Sequence, residues 1–181
     1  LGAQLLGLRT SIGRSGDWAN GTAGLRLVGD YALSRNRQFG AQGHFTFFSV
    51  DATDTGNWSG ESLTMLDFGA SVYKEVCRGR ACVKPLVGLQ VGLLGVDQDN
   101  QFAVLGARAE LGLEYALGQR YENVITLALG FDGFLAAQES DTGADPALFD
   151  LDRASSNAYF GLGYTRRFNS PLGSSPMFTV Q

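Results

Sequence analysis

The sequence predicts an all-β fold, an eight-stranded antiparallel up-and-down β-barrel, and three observations lead to this prediction. Eight segments alternate between apolar residues and polar or small residues, which is the period-two pattern of a strand with two unlike faces. Turn-forming residues separate each segment from the next, and the connections alternate between two kinds. With 181 residues, of which 25 are glycine and 4 are proline, the chain has the length of a single barrel domain.

The first of the eight predicted strands assigns Leu6 and Leu8 to the apolar face and Arg9 to the polar face. The last assigns Phe160 to the apolar face and Arg167 to the polar face. The other six strands have the same two-faced pattern. In chain order, the strands are predicted over residues 5–13, 22–34, 39–48, 64–75, 83–95, 103–116, 124–132 and 158–168.

The connections differ in charge as well as in length. Those that are long or acidic read SGDWANG, DATDTGNWSGES, GVDQDNQ and the stretch 136–156, whereas those that are short and basic read SRNRQ, CRGRAC and LGQRYE. An up-and-down order of strands collects the first kind at one end of the barrel and the second kind at the other. An even number of strands then places both termini at the basic end.

The composition of the two faces indicates which of them meets water. The polar face carries glycine about as often as charge, and small residues with ion pairs suit the inside of a narrow barrel. The apolar face is nearly uniform Leu, Val, Ala and Phe, with aromatic residues near the basic ends of the strands. This pattern is typical of a transmembrane barrel with a lipid-facing band and an aromatic girdle. The alternative is a soluble barrel with its aliphatic face inside.

The stretch YFGLGYTRRF, residues 159–168, resembles the C-terminal strand of bacterial outer-membrane β-barrels. Residues 1–168 as a whole resemble the eight-stranded barrels of the OmpA/OmpX-like type. The resemblance implies a bacterial outer-membrane location with periplasmic termini, in contact with outer-membrane lipid and lipopolysaccharide. It also implies that Tyr164 and Phe168 form the signal read by the barrel-assembly machinery. Residues 169–181 are then a periplasmic C-terminal tail, too short for a further domain.

Charged residues on the inward face are expected to close the lumen. Eight strands enclose an interior just wide enough for side chains to fill, and unpaired charge there would be costly. A hydrogen-bonded ion-pair network is therefore predicted, and its functional alternative is a selective channel or a gated proton path. The network is predicted to include Arg9, Arg26, Asp30, Asp67, Arg108, Glu110, Glu114, Asp132 and Arg167.

Cys77 and Cys82 flank a four-residue turn in VCRGRACVK, where paired strands would bring their sulfurs within bonding range. A disulfide at this turn indicates an oxidising compartment such as the periplasm. A reduced pair in the turn is the alternative. No second Cys or His pair completes a metal site, so no metal is predicted.

The sequence predicts no catalytic residue and no cofactor. His44 is the only histidine, it is assigned to the inward face, and no serine stands two positions on, which argues against an acyl-hydrolase site on the wall. The acidic loops lack the spacing of an EF-hand and are interpreted as solvated loops, with calcium binding as the alternative. A net charge of −4 argues against a nucleic-acid partner.

The predicted function is therefore non-enzymatic: a structural or partner-binding component of the outer membrane with a plugged polar lumen. Partners in the membrane or periplasm would be bound by the acidic extracellular loops and the C-terminal tail. Leu148 and Phe149 in the fourth loop, and Met177 and Phe178 in the tail, are the candidate contacts. The alternatives are a small-solute pore and, less favoured, an outer-membrane lipid-modifying enzyme.

Overall fold

A computed structural model describes residues 1–12, 18–33, 38–52, 61–95, 101–118, 122–136 and 150–168. Antiparallel strands account for nearly all of these residues. In chain order the strands are β1 (Gly2–Ile12), β2 (Trp18–Ala32), β3 (Phe39–Ala52), β4 (Glu61–Lys74), β5 (Val76–Arg78), β6 (Ala81–Gly95), β7 (Gln101–Leu117), β8 (Asn123–Ala136) and β9 (Asp150–Arg166). No helix in the described part of the chain is long and apolar enough to cross a membrane.

Each strand pairs with its neighbours in sequence, and pairing of β1 with β9 and of β4 with β6 closes the sheet into a barrel. β5 continues β4, because both pair with β6 in one register, through Tyr73 opposite Leu86 and then Val76 opposite Val83. Between these pairs β6 contains Pro85, which has no N–H to donate. β4 and β5 therefore form one position in the wall, and the barrel has the eight strand positions that the sequence predicts.

The strands are tilted, as a row of directly opposed residues shows. Starting at Ile12 on β1, the row passes once around the wall and returns to β1 at Gly2, ten residues away. Its intermediate members are Ser155, Phe134, Gly106, Gln90, Gly69, His44 and Val28. A stagger of this kind accompanies a strand tilt of about 35–45°. Every such row therefore spirals from one end of the barrel to the other.

The outer face of the barrel is apolar and the inner face is mixed, as predicted for seven of the eight strand positions. Exposed side chains on the outside include Leu25, Phe68, Leu89, Leu129 and Leu162. Their neighbours in sequence lie on the inner face and are buried or half-buried. An outward apolar wall of this kind is what a membrane-spanning barrel presents to lipid.

The face assignment predicted for the first strand is wrong. In β1, Gln4, Leu6 and Leu8 are buried in the lumen, whereas Leu5 and Arg9 are exposed on the outside. Apolar residues stand at both Leu5 and Leu6, so the phase of the alternation is ambiguous there, and a one-residue slip moves every side chain to the other face. Arg9 therefore does not belong to the lumen network. The register with β2 also shifts between Leu8 and Thr10, so a bulge lies beside Arg9.

Both ends of the described chain lie at the barrel end that carries the short turns, which we call the terminal end. The N-terminal amino group of Leu1 donates to the carbonyl oxygen of Arg166 at 3.0 Å. At the turn between β5 and β6, Gly79 adopts a φ of 63°, a left-handed conformation that glycine allows. Cys77 and Cys82 are directly opposed beside this turn and form a disulfide, as predicted.

Candidate functional site: the barrel lumen

Arg26 stands at the centre of the lumen and is fully buried. Its guanidinium donates to Oγ1 of Thr46 at 3.0 Å, to Oε2 of Glu110 at 3.1 Å and to Oδ2 of Asp132 at 3.1 Å. These partners belong to three different strands, β3, β7 and β8. The guanidinium also lies over the ring of Tyr159, with its carbon 4.5 Å from the ring centroid. One side chain on β2 thus contacts four other strands of the wall.

Arg108 completes this central cluster. It forms an ion pair with Glu110, and its Nε donates to the hydroxyl oxygen of Tyr159 at 3.0 Å. That hydroxyl in turn donates to Oε2 of Glu110 at 2.7 Å. Glu110 therefore accepts from two arginines and one tyrosine, and charge-assisted hydrogen bonds of this kind are shorter and stronger than neutral ones.

His44 and Asp67 lie beside the central cluster, both buried. Nε2 of His44 is 3.0 Å from Oε1 of Gln90 and 3.3 Å from Oδ1 of Asp67. Both neighbours are acceptors, so the proton of the imidazole is assigned to Nε2. The contact with Asp67 is within ion-pair distance but lacks hydrogen-bond geometry, so neither carboxylate oxygen of Asp67 has a hydrogen-bond partner among the described residues.

A second cluster of charges fills the lumen near the terminal end. Nζ of Lys84 lies 2.9 Å from Oδ1 of Asp30 and 3.2 Å from Oε1 of Glu114. Arg167, just beyond β9, donates to Glu75 at 2.7 Å and to Glu114 at 2.5 Å. Burial alone lowers the pKa of the Arg167 guanidinium, but Glu75 and Glu114 outweigh burial and raise that pKa above its ordinary value. Two cations and three carboxylates are thereby linked into one chain of contacts.

An apolar belt, which the sequence did not predict, lines the opposite end of the lumen, where the long loops begin. Six large apolar side chains from six strand positions point inward there and are almost completely buried. They are Leu8, Phe48, Met65, Leu94, Val104 and Phe134. From one end to the other, the described lumen therefore contains an apolar belt, a central ionic cluster and a terminal ionic cluster.

Some buried polar atoms of the lumen have no hydrogen-bond partner within the described part of the chain. There are twelve such atoms, on Gln4, Thr10, Gln42, His44, Asp67, Ser71, Gln90, Arg108, Asp132 and Asn157. An unsatisfied buried polar group costs about 1–3 kcal/mol. Twelve of them would rival the ~5–15 kcal/mol by which native proteins are stable, so the folded lumen must satisfy most of these atoms.

The structure brings together eight of the nine residues predicted for the lumen network, in the two clusters and beside them, and it excludes Arg9. Tyr164 and Phe168 lie on the outer face near the terminal end and are 51% and 64% exposed. The Tyr164 hydroxyl donates to Oδ1 of Asn123 at 2.6 Å. The proposed partner contacts Leu148, Phe149, Met177 and Phe178 fall outside the described residues.

The described residues offer little for catalysis or metal binding. His44 faces the lumen and not the outer wall, so it cannot reach a lipid. The one group of potential metal ligands found in the described residues is Glu75 with Cys77 and Cys82, and the two sulfurs are bonded to each other. The arrangement is suited to filling and cross-linking the barrel.

Comparison with known proteins supports the fold. No protein-family model matches the chain, and no curated protein matches it. Among solved structures, Neisserial surface protein A is similar with a TM-score of 0.60 and 11% identity, over 92% of this chain and 95% of that one. The outer membrane enzyme PagL is similar with a TM-score of 0.58 and 13% identity, over 88% and 97%. Ail, the attachment invasion locus protein of Yersinia pestis, has a TM-score of 0.50 and 11% identity, over 90% and 94%.

These likenesses define the class of fold. The chain is an all-β, closed, eight-stranded antiparallel barrel with the architecture of outer-membrane β-barrels, which confirms the fold class predicted from the sequence. Since the similar structures include an enzyme and a protein described by attachment and invasion, the fold by itself does not select a function.

Proposed function

We propose that the protein is a non-catalytic outer-membrane barrel that is closed to solutes and acts as a structural or partner-binding component. The observation that carries this proposal is the filled lumen. The apolar belt and the two ionic clusters occupy successive levels of the barrel, and Arg26 alone forms hydrogen bonds with residues on three other strands. A barrel of eight strands has no room for a solute pathway beside such contents.

The orientation follows from the lengths of the connections. Bacterial barrels have short periplasmic turns and longer extracellular loops. In this chain the termini and the short turns share one end, which we assign to the periplasm. The disulfide at the turn between β5 and β6 fits an oxidising compartment.

The outer wall accounts for contact with outer-membrane lipid and lipopolysaccharide. Tyr164 and Phe168 face outward near the terminal end and are exposed, so they are accessible to the barrel-assembly machinery, as the assembly-signal hypothesis requires. An apolar, lipid-facing wall offers no specific recognition surface, so specific partner binding is assigned to the segments that extend beyond the barrel. We assign it to the acidic loop that contains Leu148 and Phe149, and to the tail that contains Met177 and Phe178.

Deletion variants test this assignment. One variant lacks residues 170–181, and another replaces residues 138–149 with a short Gly/Ser linker of the kind that loops tolerate. Both variants should fold and insert like the full chain, and at least one should lose proteins that cross-link to the full chain in native membranes. If both retain every cross-linked protein, partner binding through loops and tail is wrong. If the tail variant fails to insert, residues 170–181 belong to the folded barrel, and the division at residue 168 is wrong. If the loop variant fails to insert, that loop is part of the folded barrel and not only a binding segment.

A further inference from the structure

More than half of the residues that carry unpartnered polar atoms in the lumen lie on one row of directly opposed residues. Four of the residues that carry them are directly opposed on neighbouring strands, in the order Thr10 on β1, Asn157 on β9, Asp132 on β8 and Arg108 on β7. All four side chains point inward and each is less than 5% exposed. We call the whole row the polar track. These four residues form its upper half, which is the half nearer the loop end of the barrel.

The same row of opposed residues continues into the lower half of the barrel. From Arg108 it passes to Gly88 on β6, Ser71 on β4, Gln42 on β3 and Asp30 on β2. Ser71 and Gln42 also carry unpartnered buried oxygens, and Gln42 donates to Asp30 at 2.9 Å. The track therefore includes six of the residues with unpartnered atoms and ends in the terminal ionic cluster.

Glycine at position 88 does not interrupt the track. A Cβ at that position would collide with the hydroxyl oxygen of Ser71, so this hydroxyl occupies the space in front of Gly88. Because rows spiral in a tilted barrel, one circuit over eight strands spaced 4.8 Å apart descends roughly 25 Å. The polar track thus crosses the lumen from the loop end to the terminal end.

At the loop end, the track begins at Thr10 on β1 and Asn157 on β9, and both residues are buried. The side chains described for β9 contribute nothing to the apolar belt, so the described part of the track runs beside the belt. At the terminal end, the side chain of Asp30 is 23% exposed and reaches solvent.

The chemistry of the track selects water as its ligand. A hydroxyl, a carboxamide, a carboxylate and a guanidinium alternate along it, so donors and acceptors are both required, and water supplies both. A metal cation is disfavoured because Arg108 carries one of the unpartnered atoms. An apolar guest would leave every one of these atoms unsatisfied.

We propose that the polar track holds a continuous file of internal water, through which protons cross a barrel that is closed to other ions. A proton entering the file at one end releases a proton at the other, so no bond in the protein changes. The central cluster has two carboxyl groups, Glu110 and Asp132, for its two guanidinium groups, and Asp67 beside the cluster adds a third, so the local charges do not leave an excess of cations that would repel protons. Other ions would have to shed their hydration shells beside the belt and the ion pairs. This activity goes beyond the proposed function, in which the lumen is only a plug.

The test uses the full chain in liposomes that enclose a pH-sensitive dye, with a potassium gradient and valinomycin to drive protons inward. Asn157→Leu and Ser71→Val each put apolar groups into the track, near its loop end and in its lower half. Thr126→Val is the matched control, since Thr126 also faces the lumen but lies on a different row. Heat-modifiable electrophoretic mobility reports whether each variant is folded.

Proton influx into wild-type and Thr126→Val liposomes should exceed that into protein-free liposomes. In the folded Asn157→Leu and Ser71→Val proteins it should fall by about tenfold, as expected when one step of a file loses its hydrogen-bond partners. Wild-type influx at the protein-free level would overturn the proposal, as would equal influx in the track variants and the control. Potassium efflux without valinomycin gives a separate result, because a leak of that ion would contradict the proposed closed lumen as well.

Discussion

Arg26 on β2 and Glu110 on β7 are 84 residues apart in sequence, and their side chains meet across the lumen at 3.1 Å. In the closed order of strands these two positions face each other across the barrel. The same guanidinium holds Asp132 on β8. A single arginine thus cross-links opposite walls, and the lumen is filled where it does so.

Replacing this arginine should be strongly destabilising. Arg26→Ala leaves Asp132 without its ion-pair partner and Glu110 with one arginine in place of two. Breaking a buried pair in this way costs about 3–5 kcal/mol. Urea unfolding in lipid vesicles measures the loss, and Arg9→Ala is the matched control because Arg9 is exposed outside the lumen. Equal stability of the two variants would contradict the assignment of Arg26 to the centre of the barrel.

A charged substitution on the outer face should destabilise the barrel through its contact with lipid. Leu111→Arg places a charge on the apolar outer face and should reduce the free energy of unfolding in lipid by about 2–4 kcal/mol near the bilayer midplane. Gly112→Ser is its control: the neighbouring residue faces inward, where a Cβ would meet its nearest atom at 3.4 Å, an ordinary contact. If Leu111→Arg kept wild-type stability and the protein needed no detergent, the outer wall would be a water-facing surface.

Glycine is required where two strands approach closely on the lumen side. A Cβ at Gly92 would collide with the carbonyl oxygen of Leu66, whereas a Cβ at Gly43 would meet nothing within 4 Å. Gly92→Ala should therefore destabilise by about 1–3 kcal/mol, and Gly43→Ala should have little effect. Thermal unfolding of the two variants in the same detergent is the comparison. A larger loss of thermal stability for Gly43→Ala than for Gly92→Ala would contradict the close approach of strands inferred at Gly92.

Most of the barrel could be predicted from the sequence because its two faces differ sharply. On β7, Arg108, Glu110 and Glu114 alternate with Ala and Leu, so both the strand and its inward face follow from the pattern. β1 has Leu at positions 5 and 6, and the pattern fits either phase. The phase is settled by pairing with β2 and β9, which puts Gln4 inside beside Arg26 and leaves Arg9 outside.

The apolar belt was missed for a related reason. Phe48 follows Phe47, and Phe134 precedes Leu135, so both faces of these strands are apolar near the loop end and the alternation disappears. The sequence also could not predict which charged residues form ion pairs with each other. Arg26 meets Glu110 through the tilt and closure of the barrel, and no local pattern encodes either property.

The disulfide gives a chemical test of the short turn between β5 and β6. Because Cys77 is bonded to Cys82, a maleimide reagent added to the denatured, unreduced protein should modify neither sulfur. After reduction it should modify both, which mass spectrometry resolves as two added labels. Full labelling without a reductant would show that the pair is reduced and would remove one argument for a periplasmic turn.

The closed lumen is the central claim, and single-channel recording in planar bilayers tests it most directly. Wild-type protein at neutral pH in molar potassium chloride should produce no conductance steps, because the belt and the two ionic clusters fill successive levels of the barrel. Arg26→Ala, if it inserts, should produce brief openings, since it removes the side chain that spans the centre. Large and steady steps from the wild-type protein would contradict the account and identify the barrel as a pore.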